Sequence, residues 1–309
     1  MDLPLKYSSP NGTVRWTKLG SGPPLVFNHG TPWSSFVWRD IADAFTSTHT
    51  VYLWDMPGYG LSDKYDGQDV SLGAQGKLFA ELLAHWFPQQ QQQQQVLHPI
   101  VIAHDFGGAV ALRARLLHGA RYTALALVDP VAVAPWGSPF FRLVGANADV
   151  FARLPANLHG ALVREYISGA SHAGLRAETL EELARPWCDG EGQAAFYRQI
   201  AQASERFTDE VEGRYGEVPA GMAGDGDDVQ GEKGAGKEGN ISRVLLVWGT
   251  EDTWVPVERG RELQRRMGGG GVVLREIAGA GHLVQMDRPA QLTGVLMEFV
   301  GGVGGARVG

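Results

Sequence analysis

Cysteine is almost absent from this chain. The 309 residues include one cysteine, Cys188, so no disulfide can form within the chain and nothing in its cysteine usage requires an oxidising compartment. Apolar runs are also short, and none approaches the roughly 20 residues that a helix needs to cross a bilayer. The first ten residues lack the basic and apolar regions of a secretory signal. We therefore expect a cytoplasmic protein without a membrane partner.

Clustered positive charge is scarce as well. Acidic residues outnumber lysine and arginine, and the formal net charge is -7. The densest basic stretch, RELQRR at 261–266, has the pattern of a solvated helix face. Nucleic acids bind clustered basic side chains, so none is expected as a partner. Hydrophobic residues make up 44% of the chain, enough for a substantial core, while the oligomeric state stays open.

Short apolar runs alternate along the chain with amphipathic stretches. The apolar runs are continuous rather than alternating in polarity, which predicts parallel strands covered on both faces. They lie at 24–30, 50–58, 99–105, 124–130, 243–252 and 272–282. The amphipathic stretches have the length of crossover helices and lie at 71–87, 106–118, 258–267 and 289–300. The sequence therefore predicts an α/β fold.

The strand pattern stops between 130 and 241, where the sequence becomes helical and aromatic. This predicts a core in two parts, 1–129 and 241–302, with a helical cap inserted at 130–216. The Gly-rich and charged segment at 217–240 has too little apolar content to offset its ordering entropy, so we expect a disordered loop. A flexible tail is expected at 303–309.

The stretch VIAHDFGGAVALR at 101–113 reads as a strand, a sharp turn and a helix, with a carboxylate at the turn. Around Asp105 it matches the nucleophile elbow, small-x-nucleophile-x-Gly-Gly, although the first small residue is Ala103. The glycines let the helix pack closely while the central side chain projects above the sheet. An N-cap role for Asp105 would not explain the glycine pair. We predict that Asp105 is a nucleophile.

Two further strand ends supply an acid and a base. Asp252 follows a strand in WGTEDTWVP, and His282 follows the last strand in GAGHLVQMDRP. The chain order Asp105, Asp252, His282 is the nucleophile, acid, base order of α/β-hydrolases. We predict that Asp252 orients His282, with Asp129 in LVDP as the alternative acid.

A third loop, NHGTPWSSFVW at 28–38, follows another predicted strand. Its backbone N–H groups around Thr31, together with the amide of Phe106, would form an oxyanion hole. We expect His29 to act as a hydrogen-bonding residue rather than as a base.

Together, HGTP, DMPGYGLSD, HDFGG, WGTEDTWVP and GAGHLVQMDRP resemble the α/β-hydrolase fold, in its Asp-nucleophile branch of epoxide hydrolases and haloalkane dehalogenases. The resemblance covers nearly all of the chain outside 217–240, the glutamine run and the tail. It implies a mostly parallel sheet with flanking helices and an inserted cap. The implied partners are a small apolar substrate and water. No cofactor or metal is expected, because the sequence has no HExxH motif or Cys/His cluster.

A carboxylate nucleophile restricts the chemistry. Attack on an ester carbonyl would give a mixed anhydride, whereas attack on an sp3 carbon gives an alkyl ester that water can cleave. Esterase activity is therefore disfavoured, and His282 is expected to activate the hydrolytic water.

The leaving group separates the two enzyme classes. Dehalogenases usually carry a Trp after the nucleophile and an Asn or similar donor after His-Gly, where this chain has Phe106 and Thr31. One halide-binding N–H is thus missing, although Trp33 or Trp136 could replace it. The many cap aromatics, Trp136 among them, also suggest an apolar substrate pocket.

Epoxide hydrolases instead use lid tyrosines that donate a proton to the ring oxygen. Tyr197 in AAFYRQI is similar to the second such tyrosine, and Tyr166 in REYISG is the candidate for the first. We therefore expect an epoxide hydrolase that forms a vicinal diol. The alternatives are a haloalkane dehalogenase, which would release halide from bromoalkanes, and a binding protein that has lost catalysis.

Overall fold

The computed structural model describes residues 2–88, 98–220, 244–268 and 271–305. Within these ranges the strands are β1 (Leu5–Ser9), β2 (Gly12–Leu19), β3 (Pro24–Asn28), β4 (Thr50–Asp55), β5 (Ile100–His104), β6 (Ala124–Val128), β7 (Val244–Gly249) and β8 (Val272–Ile277). The helices of the same ranges are α1 (Arg39–Asp43), α2 (Leu72–Trp86), α3 (Phe106–His118), α4 (Pro139–Ala146), α5 (Ala148–Phe151), α6 (Ala156–Ser168), α7 (Ala177–Ala184), α8 (Gly190–Gln202), α9 (Arg206–Glu212), α10 (Glu217–Ala220), α11 (Val257–Arg266), α12 (Val284–Asp287) and α13 (Pro289–Gly305). Among them, none combines the length and the apolar character required to cross a bilayer.

The strands form one sheet in the order β1-β2-β4-β3-β5-β6-β7-β8. The six strands from β3 to β8 run parallel to one another and correspond to the six predicted apolar runs. Every residue of β3, β5, β6 and β7 is buried, because helices cover both faces of the sheet. The predicted α/β-hydrolase fold is confirmed.

The antiparallel hairpin β1–β2, which pairs with β4, was not among the predicted strands. Only Val14 and Thr17 of its residues are buried, so it lacks the continuous apolar run of a central strand. The signal that could have found it is the Asn11-Gly12 step, since Gly12 adopts φ +101 at the turn.

The segment between β6 and β7 carries helices α4 to α10 and packs directly on the core. The indole N–H of Trp187 donates to the carbonyl of Pro32 at 2.8 Å, and Tyr215 Oη donates to the carbonyl of Ala132 at 2.6 Å. These bonds fix the inserted helices against the loops that follow β3 and β6.

Two predicted boundaries differ from the structure. Helix α10 occupies the first residues of the expected loop at 217–240, because Val218 is fully buried. Helix α13 likewise continues into the expected tail at 303–309, because Val303 is buried. The rest of that loop, from residue 221, and the tail from residue 306 lie outside the described residues.

Candidate active site

The turn between β5 and α3 places Asp105 in a strained conformation, with φ 51 and ψ -122. A non-glycine residue there costs about 1–3 kcal/mol, which the surroundings must offset. A side chain at Gly107 would collide with the carbonyl of His29, and a Cβ at Gly108 would lie 2.6 Å from Cβ of Pro130. The Asp105 side chain makes no N-cap hydrogen bond to α3. The glycine pair is therefore required for the close approach of α3, as the sequence predicts.

The Asp105 carboxylate is buried, and its two oxygens have different partners. Oδ2 accepts the backbone N–H of Thr31 at 2.6 Å, and Oδ1 lies 3.5 Å from Nε2 of His282. Burial would raise the pKa of Asp105, but the hydrogen bond and charge of His282, aided by the N–H of Phe106, lower it below its ordinary value. The carboxylate is thus ionised at neutral pH, with one oxygen in the predicted oxyanion hole.

The structure distinguishes between the two candidate acids. Oδ2 of Asp252 lies 2.8 Å from Nδ1 of His282, while its Oδ1 accepts the backbone N–H groups of Trp254 and Val255 at 2.7 and 2.9 Å. Asp129 instead accepts the N–H of Gly249 at 2.9 Å, at the end of β7. Asp252 is therefore the carboxylate that orients the imidazole.

Burial and neighbouring charges together set the pKa values of this cluster. Burial lowers the pKa of His282, but Asp252 and Asp105 outweigh it and raise the pKa well above its ordinary value. Burial, reinforced by the charge of Asp252, raises the pKa of Asp129 well above its ordinary range. Burial therefore favours the uncharged form of the Asp129 carboxyl group.

A narrow cavity lies over Asp105. Its volume is about 30 Å³, room for one or two water molecules. Five of its lining residues are aromatic, namely Phe106, Trp136, Phe141, Tyr166 and Trp254. Thr31 and Asp105 supply polar groups. A cavity of this character suits an apolar ligand, which must displace water and side chains to enter.

Tyr166 and Trp136, both predicted for the site, line this cavity in different ways. Tyr166 stacks on Trp254 with ring centroids 4.4 Å apart, and burial together with the charge of Asp105 raises its pKa well above the ordinary value, so the hydroxyl keeps its proton. The indole N–H of Trp136 donates to Thr208 Oγ1 at 3.0 Å. The ring of Trp136 is therefore a wall of the cavity, and its N–H is already bound.

Tyr197, expected as a lid proton donor, is not brought to Asp105. Its hydroxyl donates to Nδ1 of His159 at 2.8 Å, and Nε2 of His159 donates to the carbonyl of Trp187 at 2.7 Å. The Tyr197 side chain is buried within the inserted helices, so its one proton is used to hold them together. This corrects the sequence-based expectation.

His29 acts as a hydrogen-bonding residue, as expected. Its Nδ1 donates to the carbonyl of Gly30 at 2.8 Å, and its Nε2 accepts the N–H of Met56 at 2.9 Å. Burial lowers the pKa of His29, and the ring stays neutral. It shapes the loop that presents the N–H of Thr31 to Asp105.

Two residues of this site were missed at the sequence level. Trp254 stacks on the His282 ring at 5.1 Å and 27°. It stands two residues after Asp252 in a motif that was already recognised, so its position was a usable signal. Gln199 accepts a hydrogen bond from the Thr31 hydroxyl. Nothing local in the sequence connects those two residues.

Comparisons with known proteins agree with the fold. A sequence model of the Alpha/beta hydrolase family matches residues 25–294. The chain is 40% identical to a solved α/β-hydrolase fold protein from Burkholderia ambifaria, over 96% of this chain and 98% of that one, with a TM-score of 0.81. It is 23% identical to haloalkane dehalogenase 2 of Mycobacterium tuberculosis (strain ATCC 25618 / H37Rv), over 96% of this chain and 94% of the relative. A solved haloalkane dehalogenase from Agrobacterium tumefaciens C58 shares 18% identity, over 97% of this chain and 96% of that one, with a TM-score of 0.69.

Proposed function

The chain belongs to the α/β-hydrolase family, and from that premise we propose that it is an epoxide hydrolase that opens an apolar epoxide to a vicinal diol through an ester on Asp105. The observation that carries the proposal is the divided role of the Asp105 carboxylate. Oδ2 accepts the N–H of Thr31, while Oδ1 faces His282. One oxygen can thus attack the substrate while the other stays hydrogen-bonded in the oxyanion hole.

In the first step, Oδ1 of Asp105 attacks a ring carbon, and the C–O bond of the ring breaks. The bonding pair moves to the ring oxygen, which takes a proton from the Tyr166 hydroxyl. Tyr166 supports this role because it lines the cavity over Asp105 and holds its proton at neutral pH. The products of the step are an alkyl ester and a tyrosinate.

In the second step, water attacks Cγ of the ester, and Nε2 of His282 accepts the proton of that water. Before this attack, ester formation removes the charge of Asp105, one of the two charges that raise the pKa of His282, so the imidazolium gives up its Nε2 proton to the tyrosinate and becomes a neutral base. The N–H groups of Thr31 and Phe106 hold the tetrahedral oxyanion. His282 then protonates the departing alkoxide and takes up the proton that the acid form of Asp105 releases, which restores the imidazolium and the carboxylate of the free enzyme.

The groups around the cavity favour an epoxide over a halide. A departing halide needs polarised N–H donors, yet the side chain of Phe106 has none and the indole N–H of Trp136 is bound to Thr208. A departing epoxide oxygen needs an acid, and Tyr166 offers one.

A haloalkane dehalogenase is the second candidate, and two observations favour it. The curated relatives that match along nearly the whole chain include haloalkane dehalogenases. The buried indole N–H of Trp33 has no hydrogen-bond acceptor among the described residues. Trp33 stacks on Trp254, which is part of the cavity wall. The indole N–H of Trp33 is therefore a donor available to bind a departing halide.

Trapping of the covalent ester tests both candidates. The His282→Gln variant, mixed with a panel of epoxides and bromoalkanes, should gain the full mass of an epoxide on Asp105, whereas Asp105→Asn should gain none. Gain of an alkyl group with release of bromide would identify the dehalogenase instead. In wild type, one turnover in 18O water should place 18O in the Asp105 carboxylate. Turnover without that label would exclude the two-step route.

A further inference from the structure

Asp287 lies in the GAGHLVQMDRP motif but has no role in the chemistry proposed above. Its buried carboxylate accepts hydrogen bonds from two separate segments of the chain. Oδ2 accepts the N–H of Gly281 at 2.7 Å and the N–H of His172 at 2.8 Å. Oδ1 accepts the N–H of Ala173 at 3.2 Å and the hydroxyl of Ser171. The side chain therefore joins the loop before His282 to the segment after α6.

The backbone on either side of His282 also contacts the segment after α6. The N–H of Leu283 donates to the carbonyl of Ala170 at 3.0 Å. A Cβ at Gly281 would lie 2.8 Å from both the Ala170 carbonyl oxygen and the backbone nitrogen of His172. Only glycine permits this approach, so both neighbours of His282 are held against the inserted helices.

We infer that Asp287 is a positioning residue for His282. Without its carboxylate, the N–H groups of Gly281 and His172 would face each other with no acceptor between them, and buried donors without partners separate or admit water. The loop would then shift, and Nε2 of His282 would lose its alignment with the hydrolytic water. Misplacement of a reacting group by about 1 Å costs up to about a hundredfold in rate.

A second contact, independent of Asp287, holds the backbone of His282. Nε2 of His104, in the elbow, donates to the carbonyl of His282 at 2.9 Å. Tyr166 has its own support, since its ring packs on Trp254 at 4.4 Å and on Phe140 at 5.1 Å. Loss of the Asp287 contacts should therefore disturb ester hydrolysis while ester formation proceeds.

The kinetic test rests on the proposed function and compares Asp287→Asn with Asp55→Asn. Asp55 is a matched control, a buried carboxylate that accepts the N–H groups of Ser35 and Leu61 at 2.7 Å each and does not touch the loop before His282. When ester hydrolysis becomes slower, kcat and KM fall together and kcat/KM is preserved. We expect Asp287→Asn to lower both by about tenfold, with intact mass showing accumulated ester. Asp55→Asn should lower thermal stability without lowering KM.

Hydrogen exchange supplies a readout that needs no substrate. The amides of Gly281 and His172 should exchange faster in Asp287→Asn than in wild type, and the Asp55→Asn control should leave both unchanged. Unchanged protection, or a fall in kcat with KM unaltered, would overturn the positioning role. The trapping experiment with His282→Gln distinguishes failure of the two proposals. If no covalent adduct forms on Asp105, the proposed function is contradicted, and the hydrogen-exchange result still tests the positioning role of Asp287.

Discussion

Nε2 of His282 lies 3.5 Å from Oδ1 of Asp105, inside a site from which bulk water is almost excluded. At this separation the two side chains set each other's charge state, because little solvent screens them. The free enzyme therefore holds an imidazolium between two carboxylates, and esterification of Asp105 removes one of them.

We predict that His282 titrates above the ordinary histidine value and that Asp105→Asn lowers its pKa. Because the pKa of His282 is higher in the folded protein, its protonation stabilises the fold. This stabilisation is fully present below the pKa of histidine in the unfolded chain, about 6.5, and is lost as the pH rises through the pKa of His282 in the folded protein. NMR titration of the imidazole carbon-bound protons measures both effects. An identical midpoint in the two proteins would contradict the role of Asp105.

Asp252→Asn and Asp129→Asn should differ sharply although both carboxyl groups are buried near the imidazole. Asp252→Asn removes the charge that orients His282, and we expect kcat to fall by at least about a hundredfold. Burial favours the uncharged form of Asp129, so an amide is a close substitute and kcat should stay within about threefold. Steady-state kinetics on both variants measures this difference. An equal loss of kcat in the two variants would show that Asp252 and Asp129 share the acid role.

Tyr166→Phe and Tyr197→Phe form a second contrasting pair. Loss of the Tyr166 hydroxyl removes the proposed ring-opening acid, so ester formation should slow by about a hundredfold. Loss of the Tyr197 hydroxyl breaks its bond to His159 and should cost about 1 kcal/mol of stability while ester formation continues. Single-turnover mass measurements and thermal unfolding separate the two effects. A larger loss of ester formation in Tyr197→Phe would reverse the assignment.

His104 should make the fold sensitive to acid. Burial, with the charge of His282, lowers its pKa to about 3, whereas the unfolded chain binds this proton near pH 6.5. The free energy of unfolding should therefore fall by about 1.4 kcal/mol for each unit of acidification below that pH on account of this residue. Denaturant titrations of wild type and His104→Gln between about pH 6 and pH 4 measure the slope. The exposed His85 is the control position, and a slope unchanged by His104→Gln would refute the prediction.

The central strands and the elbow were predictable because their signals are local. A continuous apolar run identifies a strand buried on both faces, and the Gly107-Gly108 pair marks a turn in which a helix approaches a strand closely. The hairpin β1–β2 was not predicted by this criterion, because strands at the edge of a sheet are partly exposed and carry no continuous apolar run.

The amino-acid order was enough to identify the fold, the strained turn at Asp105 and the three strand ends that converge on one edge of the sheet, because each depends on a short stretch of chain. Folding in three dimensions was needed to choose Asp252 over Asp129, to bring Tyr166 to the cavity while Tyr197 turned to His159, and to join Asp287 to the segment after α6. These choices depend on contacts between segments far apart in the chain. No local pattern in the sequence encodes such contacts.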